Sequence, residues 1–319
     1  MKKLLALGLV VMMLFATALS AAAEEPYYIG FCNMFMSEDF FITVSKGLHK
    51  AAEESGVKLE ENFAQRDAVV MTQAIETYVT KGVDLVIDFN VLPETGSAIA
   101  ANLKAKGIPM ISIDCLYEDA YFFGVNNYGA GEALGDAAIT QAQKKFGDKL
   151  EYIVNVYDAT SGDEIKKRND GVTDKLKAVY PDAEIVWLDC QADDVKTAAL
   201  TRDWLSAHPD ATKIVFVGQN DDRGYAINTV VENEGRRDDC IIVSHNADPS
   251  AIENLKAHKD GSTAWLCTAS YNSQLYGEQV IDMALRILKG EGADQMEYTK
   301  VTVVTPENLD EYLASLEAA

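Results

Sequence analysis

The sequence predicts an α/β protein of two lobes, each a doubly wound parallel sheet. Three observations lead there. Apolar runs of strand length alternate with amphipathic segments of helix length, the pattern of parallel sheets with helices on both faces. The strands number about ten, too many for one ordinary sheet and suited to two. The alternation also breaks and begins again at Asn126-Asn127, the first passage from one lobe to the other.

The first strand is Tyr27-Tyr28-Ile29-Gly30-Phe31, followed by a loop through Asp39. Phe41, Val44, Leu48 and Ala51 then share one helical face, with Lys46, Lys50 and Glu53 outside and Gly56 as the stop. Residues 57–63 form a strand, and Asp67 caps a helix carrying Val70, Ala74, Ile75 and Tyr78, closed by Gly82. Residues 83–87 are a strand, and Pro93 and Glu94 open a helix that Gly107 stops. Strands at 108–113, ending at Asp114, and at 121–125 complete the first half. The second half reads as helix 129–146, strand 150–156, helix 164–179, strand 184–188 and helix 195–207, with Asp193 as a cap. Ile214 to Val217 is an apolar run suited to a strand buried on both faces; Gly218 stops it, and Asp221 or Asp222 caps a helix to Glu234. Strand 241–244, helix 249–259, strand 263–268, helix 274–288, strand 301–304 and a helix after Pro306 finish the chain.

The 319 residues suffice for about two domains. Lys and Arg total 28 against 50 Asp and Glu, a net charge of -22, which excludes nucleic acid and anionic membrane surfaces as partners. Lys2 and Lys3, the apolar run from Leu4 to Leu19 and Ser20-Ala21-Ala22-Ala23 read as a signal peptide over residues 1–23, cleaved after Ala23. A periplasmic location is therefore expected. The cysteines Cys32, Cys115, Cys190, Cys240 and Cys267 are scattered through apolar runs, without Cys-x-x-Cys or zinc spacing, and read as buried free thiols. No metal and no cofactor are expected.

Asn220 sits where a parallel strand gives way to a helix, the edge at which open α/β sheets bind ligands. Its amide both donates and accepts, although Asn and Asp are also common in plain turns. Enzyme signatures are missing. No Gly-x-Gly-x-x-Gly follows the first strand, and neither a phosphate-binding Gly-rich loop with Lys nor a Gly-x-Ser-x-Gly elbow occurs. His49, His208, His245 and His258 are scattered, and only His245 lies at a predicted ligand edge.

Several short segments carry a family resemblance. They are Glu38-Asp39-Phe40-Phe41 after the first strand, Asp114 after the fourth, Arg168-Asn169-Asp170-Gly171, Gln219-Asn220-Asp221, and the tail from Val304-Thr305-Pro306 to Leu313. Through their order and spacing the chain resembles the type I periplasmic solute-binding proteins of ABC sugar importers, the ribose- and galactose-binding kind. The resemblance implies lobes joined by a three-crossing hinge near Asn126, Ser270 and Thr299. One lobe would be 27–126 with 271–299 and the other 127–270 with 300–319. It implies a monomer that captures a sugar or related polyol, performs no chemistry on it and delivers it to a permease. The alternative partner is a chemoreceptor or sensor kinase, with a furanosyl signal as the alternative ligand.

The implied binding set is Glu38, Phe40, Phe41, Asp114, Arg168, Asn220, Asn246 and Ser270. Carboxylates accept sugar hydroxyls, Arg and Asn donate to oxygens, and rings cover C–H faces. Local readings compete: Phe41 shares its helix's core stripe, Glu38 could serve only the helix dipole, and Arg168 could be solvated beside Lys166 and Lys167. Asp221 reads better as a cap than as a contact. Asn246 stands where these sugar binders place an Asp, Ser270 where the ribose binder has a longer amide, Arg223 where an apolar residue is usual, and Cys115 beside Asp114 where a polar one is usual.

Overall fold

The structure is a computed structural model and describes residues 25–317. The signal-peptide reading lies outside the described residues. Among those described, no helix is long and apolar enough to cross a membrane.

Two six-stranded sheets organise the chain. The first contains β1 (Tyr28–Asn33), β2 (Lys58–Phe63), β3 (Leu85–Phe89), β4 (Met110–Ile113), β5 (Tyr121–Gly124) and β11 (Met296–Tyr298), in the order β2-β1-β3-β4-β5-β11. All its pairings are parallel. The second contains β6 (Tyr152–Tyr157), β7 (Glu184–Asp189), β8 (Ile214–Gly218), β9 (Cys240–Asn246), β10 (Trp265–Ser270) and β12 (Thr302–Val304), in the order β7-β6-β8-β9-β10-β12. Only its last pairing is antiparallel. Burial explains which strands are central. β1, β3 and β8 are buried at every residue, whereas edge strand β2, Lys-Leu-Glu-Glu-Asn-Phe, is half-exposed.

Helices α1 (Asp39–Glu54), α2 (Ala68–Thr80), α3 (Pro93–Ala105) and α9 (Tyr276–Leu288) flank the first sheet. Helices α4 (Asn127–Phe146), α5 (Gly162–Val179), α6 (Asp194–Ala207), α7 (Asp221–Asn233), α8 (Pro249–Ala257) and α10 (Leu309–Glu317) belong with the second. The chain passes between sheets after β5, after β10 and between β11 and β12. The second passage brings α9 against α1 so closely that a Cβ on Gly277 would lie 1.9 Å from the carbonyl carbon of Gly47.

In each lobe the chain turns in opposite directions from its first strand, β1 or β6, which opens a crevice at the carboxyl ends of the strands. The two crevices face one another. β11 escapes the pattern reading because three residues are too few to show a period. The cap of α7 is Asn220, not Asp221 or Asp222: its Oδ1 accepts the N–H of Arg223 at 3.2 Å. Asp221 instead turns inward, fully buried, and accepts from Ser244 Oγ, Thr268 Oγ1 at 2.8 Å and Asp248 N at 2.7 Å. All five cysteines are buried with free thiols.

Candidate binding cleft

A cavity of about 80 Å³ lies between the two sets of strand ends. Its first-lobe wall is apolar: Met34 and Phe35 after β1, Phe40 and Phe41 from α1, Phe89 from β3, and Val91. The rings brace each other. Phe41 and Phe89 have centroids 4.5 Å apart, and Phe40 meets Phe89 edge-on at 5.9 Å. Tyr271 and Tyr276 back Phe40 at 6.2 and 5.6 Å. Phe41 therefore fills both roles its sequence allowed, core residue and cavity wall.

The first lobe adds charged groups. Asp114, just past β4, holds a left-handed backbone (φ 57°) that turns its carboxyl back under the cavity. There Oδ1 accepts Val125 N–H at 2.9 Å, and the Tyr276 hydroxyl donates at 3.3 Å to Oδ2. Burial pushes this carboxyl up, against the pull of Arg168. Glu38 precedes α1 without capping it. Burial foremost, then the negative charge of Asp222, pushes it up to about 7, with Arg223 opposing.

The second lobe supplies polar groups. Arg168 is carried by α5, which packs on α4 where a Cβ on Gly171 would sit 2.4 Å from the Tyr128 carbonyl oxygen. Its Nε donates to Asn127 Oδ1 at 2.7 Å, and its guanidinium carbon lies 4.8 Å from the Tyr271 ring centroid. Arg168 lines the cavity, and its terminal nitrogens meet no hydrogen-bond acceptor among the described residues. Asn246 ends β9 with φ 113°; its Nδ2 donates to Asp248 Oδ2 at 3.1 Å, which leaves Oδ1 for a guest. Asp248 in turn leans on Asp221, so a buried acid pair props the Asn246 amide. Burial pushes both carboxyls up, Asp221 to about 7. Gln219 accepts Asp158 N–H through Oε1 at 2.9 Å, while its buried Nε2 has no partner among the described residues.

Seven of the eight sequence-selected residues meet at this cavity: Glu38, Phe40, Phe41, Asp114, Arg168, Asn220 and Asn246. Asn220 lines it with a side chain already committed to capping and to Asp222. Ser270 does not line it. Its hydroxyl is bonded to Tyr312 of α10 at 2.9 Å and accepts Asn272 N–H at 3.1 Å. His245 is sealed beneath, bonded through Nδ1 to the Tyr271 hydroxyl at 2.8 Å.

Sequence reasoning did not select Arg66, Phe89, Asp158, Gln219 or Arg223 for the site, yet all line the cavity. The first four lie at or just beyond the carboxyl end of a strand, which is the one sequence signal that marks them, and Arg223 lies in the first turn of α7. Arg223 is buried and ion-paired with Asp194. A larger hollow of about 430 Å³ lies at the opposite, amino ends of β9 and β10. Its lysines are occupied: Lys144 with Glu307 at 2.6 Å, and Lys145 with the carbonyls of Arg237 and Cys240 at 2.7 and 2.8 Å. No cluster of metal-ligating side chains occurs among the described residues.

A facing pair of switch-point crevices, with rings and acids on one side and amides and guanidinium groups on the other, is a clasp, and the family model described as "Periplasmic binding protein domain" matches residues 29–292. The chain belongs to the periplasmic binding protein family. It is 24% identical over 277 residues to the ribose import binding protein RbsB of Bacillus subtilis strain 168, covering 84% of each chain. It is 26% identical over 271 residues to the L-arabinose-binding periplasmic protein of Escherichia coli K12, covering 82% of this chain and 80% of that protein. The myo-inositol-binding protein of Caulobacter superposes with a TM-score of 0.77 at 21% identity, over 92% of this chain and 97% of that one. The fold is that of the type I periplasmic binding proteins, and family membership makes this a binding protein rather than an enzyme.

Proposed function

We propose that the protein captures a small polyhydroxylated molecule, a monosaccharide or related polyol, in the cleft and delivers it to an ABC transporter permease. The observation that carries the reading is Arg168: the residue lines the cavity, is only 7% exposed, and its terminal nitrogens have no hydrogen-bond acceptor among the described residues. Sugar oxygens would match these donors, and the buried Nε2 of Gln219, unpaired among the described residues, as well. The apolar wall of Phe40, Phe41 and Phe89 suits the C–H face of a ring. Relatives named for ribose and L-arabinose, and a structural neighbour holding myo-inositol, support the same ligand class. Residues 27–126 with 271–299 move as one body against 127–270 with the tail from 300, so ligand shifts an open–closed equilibrium.

The test is titration calorimetry of the mature protein against D-ribose, L-arabinose, D-galactose, xylitol and myo-inositol. Binding by at least one, lost in Arg168→Ala, is expected. Heat from none of a full set of pentoses, hexoses, alditols and cyclitols would sink the proposal.

A further inference from the structure

Arg66 belongs to no reading made from the sequence. It sits in the loop between β2 and α2, where Gln65 and Arg66 both hold left-handed backbones, with φ 52° and 60°. The loop is fixed at both ends. Ala64 and Gln65 donate their N–H groups to the carbonyls of Asn33 and Met34, each at 2.8 Å. Asp67 caps α2 by accepting from Val69 and Val70. The side chain leaves this platform and crosses the cleft. Nη1 reaches Asp158 Oδ2 at 3.0 Å, and Nη2 reaches Thr160 Oγ1 at 2.6 Å.

Among the described residues this is the one ion pair that joins the two lobes; the others each stay within a lobe. The receiving end is built for an anion. Asp158 is buried, and its carboxylate accepts from Thr160 N, Thr160 Oγ1 at 2.7 Å and Ser161 Oγ at 2.5 Å. Burial raises this carboxyl, but the Ser161 and Thr160 bonds and Arg66 outweigh burial and hold it low. Arg66 and Asp158 both line the cavity, and the Arg66 side chain keeps 20% of its surface exposed against 2% for Asp158. The Arg66 side chain therefore lies between the cavity and solvent.

We infer that Arg66 is a strap over the cleft mouth that favours closure without help from a guest and excludes guests too long to be enclosed. A protein-to-protein contact across a hinge biases the closed state whether or not the cavity is filled. It also bars any substituent leaving by the path it occupies. The size selection rests on the polyol reading above: it predicts single-ring sugars as guests and rejects their disaccharides.

The closure arm is measured without any sugar. Spin labels at Val69→Cys and Val195→Cys stand on opposite lobes at exposed first-turn positions, while the native thiols are buried. Electron–electron distance measurement should show a shorter separation in the otherwise wild-type protein than in Arg66→Ala. The open-to-closed ratio should shift on the order of ten-fold. Arg66→Lys, which keeps the charge but loses the two-pronged grip, should fall between and serves if the alanine variant folds poorly. Identical distance distributions in all three would overturn the strap. The size arm compares D-galactose with lactose and D-xylose with xylobiose by calorimetry. Single rings alone should bind wild type, and the disaccharide should gain binding in Arg66→Ala; equal binding of ring and disaccharide by wild type would refute size selection. If none of the four binds, the ring and disaccharide pair is taken from whichever sugar of the panel above gives heat; if the whole panel is silent the polyol reading fails, and the label distances alone decide the strap.

Discussion

The two lobes have the same strand plan but different rims. The loop after β2 runs Gln65-Arg66-Asp67 and the loop after β7 runs Gln191-Ala192-Asp193. Each holds two successive left-handed residues, at φ 52° and 60° in one and 54° and 56° in the other, and each ends in an Asp that caps the next helix. Only the middle side chain differs, and only the Arg crosses the cleft. The strand ends Asp114 and Asn246 correspond likewise, both with positive φ. Between these matched points the first lobe presents the rings, with Glu38, Asp114 and Arg66 among them, and the second presents amides and the guanidinium groups of Arg168 and Arg223. The backbone repeats the geometry, and the side chains divide the work into a face to lie against and a set of groups that read oxygens.

That division predicts which mutations separate binding from stability. Phe89→Ala, in the ring wall and the core at once, should cost stability by about 3–5 kcal/mol as well as weakening binding. Denaturant unfolding checks this; an unchanged midpoint would detach the wall from the core. Arg168→Ala, on the other rim, should lose affinity on the order of 100-fold for whichever of D-ribose, L-arabinose or myo-inositol binds wild type. Its unfolding midpoint should move far less than that of Phe89→Ala.

Acid titration compares the lobes again. Asp88 of the first lobe and Asp221 of the second are both fully buried and, chiefly through burial, pushed up to about 7. Raised above the ordinary value near 4, each keeps a proton in the folded chain that the unfolded chain releases between about pH 4 and 7. The folded state then binds more protons, so stability falls as pH rises through that window and levels off above it. Thermal unfolding should show a higher midpoint at about pH 5 than at pH 8. Asp88→Asn and Asp221→Asn should each flatten that slope; a slope unchanged in both would contradict the assignment. The smallest effect belongs to the matched caps. Asp67→Ala and Asp193→Ala should each lower stability by about 1 kcal/mol, and the first somewhat more, because Asp67 accepts two N–H groups and Asp193 one.

Much of this architecture is legible in the sequence because it is local. Apolar runs such as Ile214 to Val217 and helix stops such as Gly56 and Gly107 act within a few residues, and they set the lobes and their order. The strand-end rule likewise brings Asp114 and Asn220 to the cavity, and the family resemblance adds Arg168, on α5, and Asn246. What stayed hidden depends on distant partners. Nothing near Arg66 indicates that its acceptors lie at Asp158 and Thr160. Ser270 sits at the expected crossing, but Tyr312 from the tail helix takes its hydroxyl. Asn220 and Asp221 exchange their expected tasks because Ser244, Thr268 and Asp248 offer the second carboxylate a better-filled environment than the helix start does.

The seam between Gly47 and Gly277 bears on the order of events during synthesis. The first lobe's outer layer is left unfinished until α9 emerges, by which point all of β6 to β10 has already been made. Contacts this far apart along the chain form late. A nascent chain halted near residue 126 would keep the α1 flank open to water and to chaperones, whereas the middle stretch could assemble most of its own sheet first.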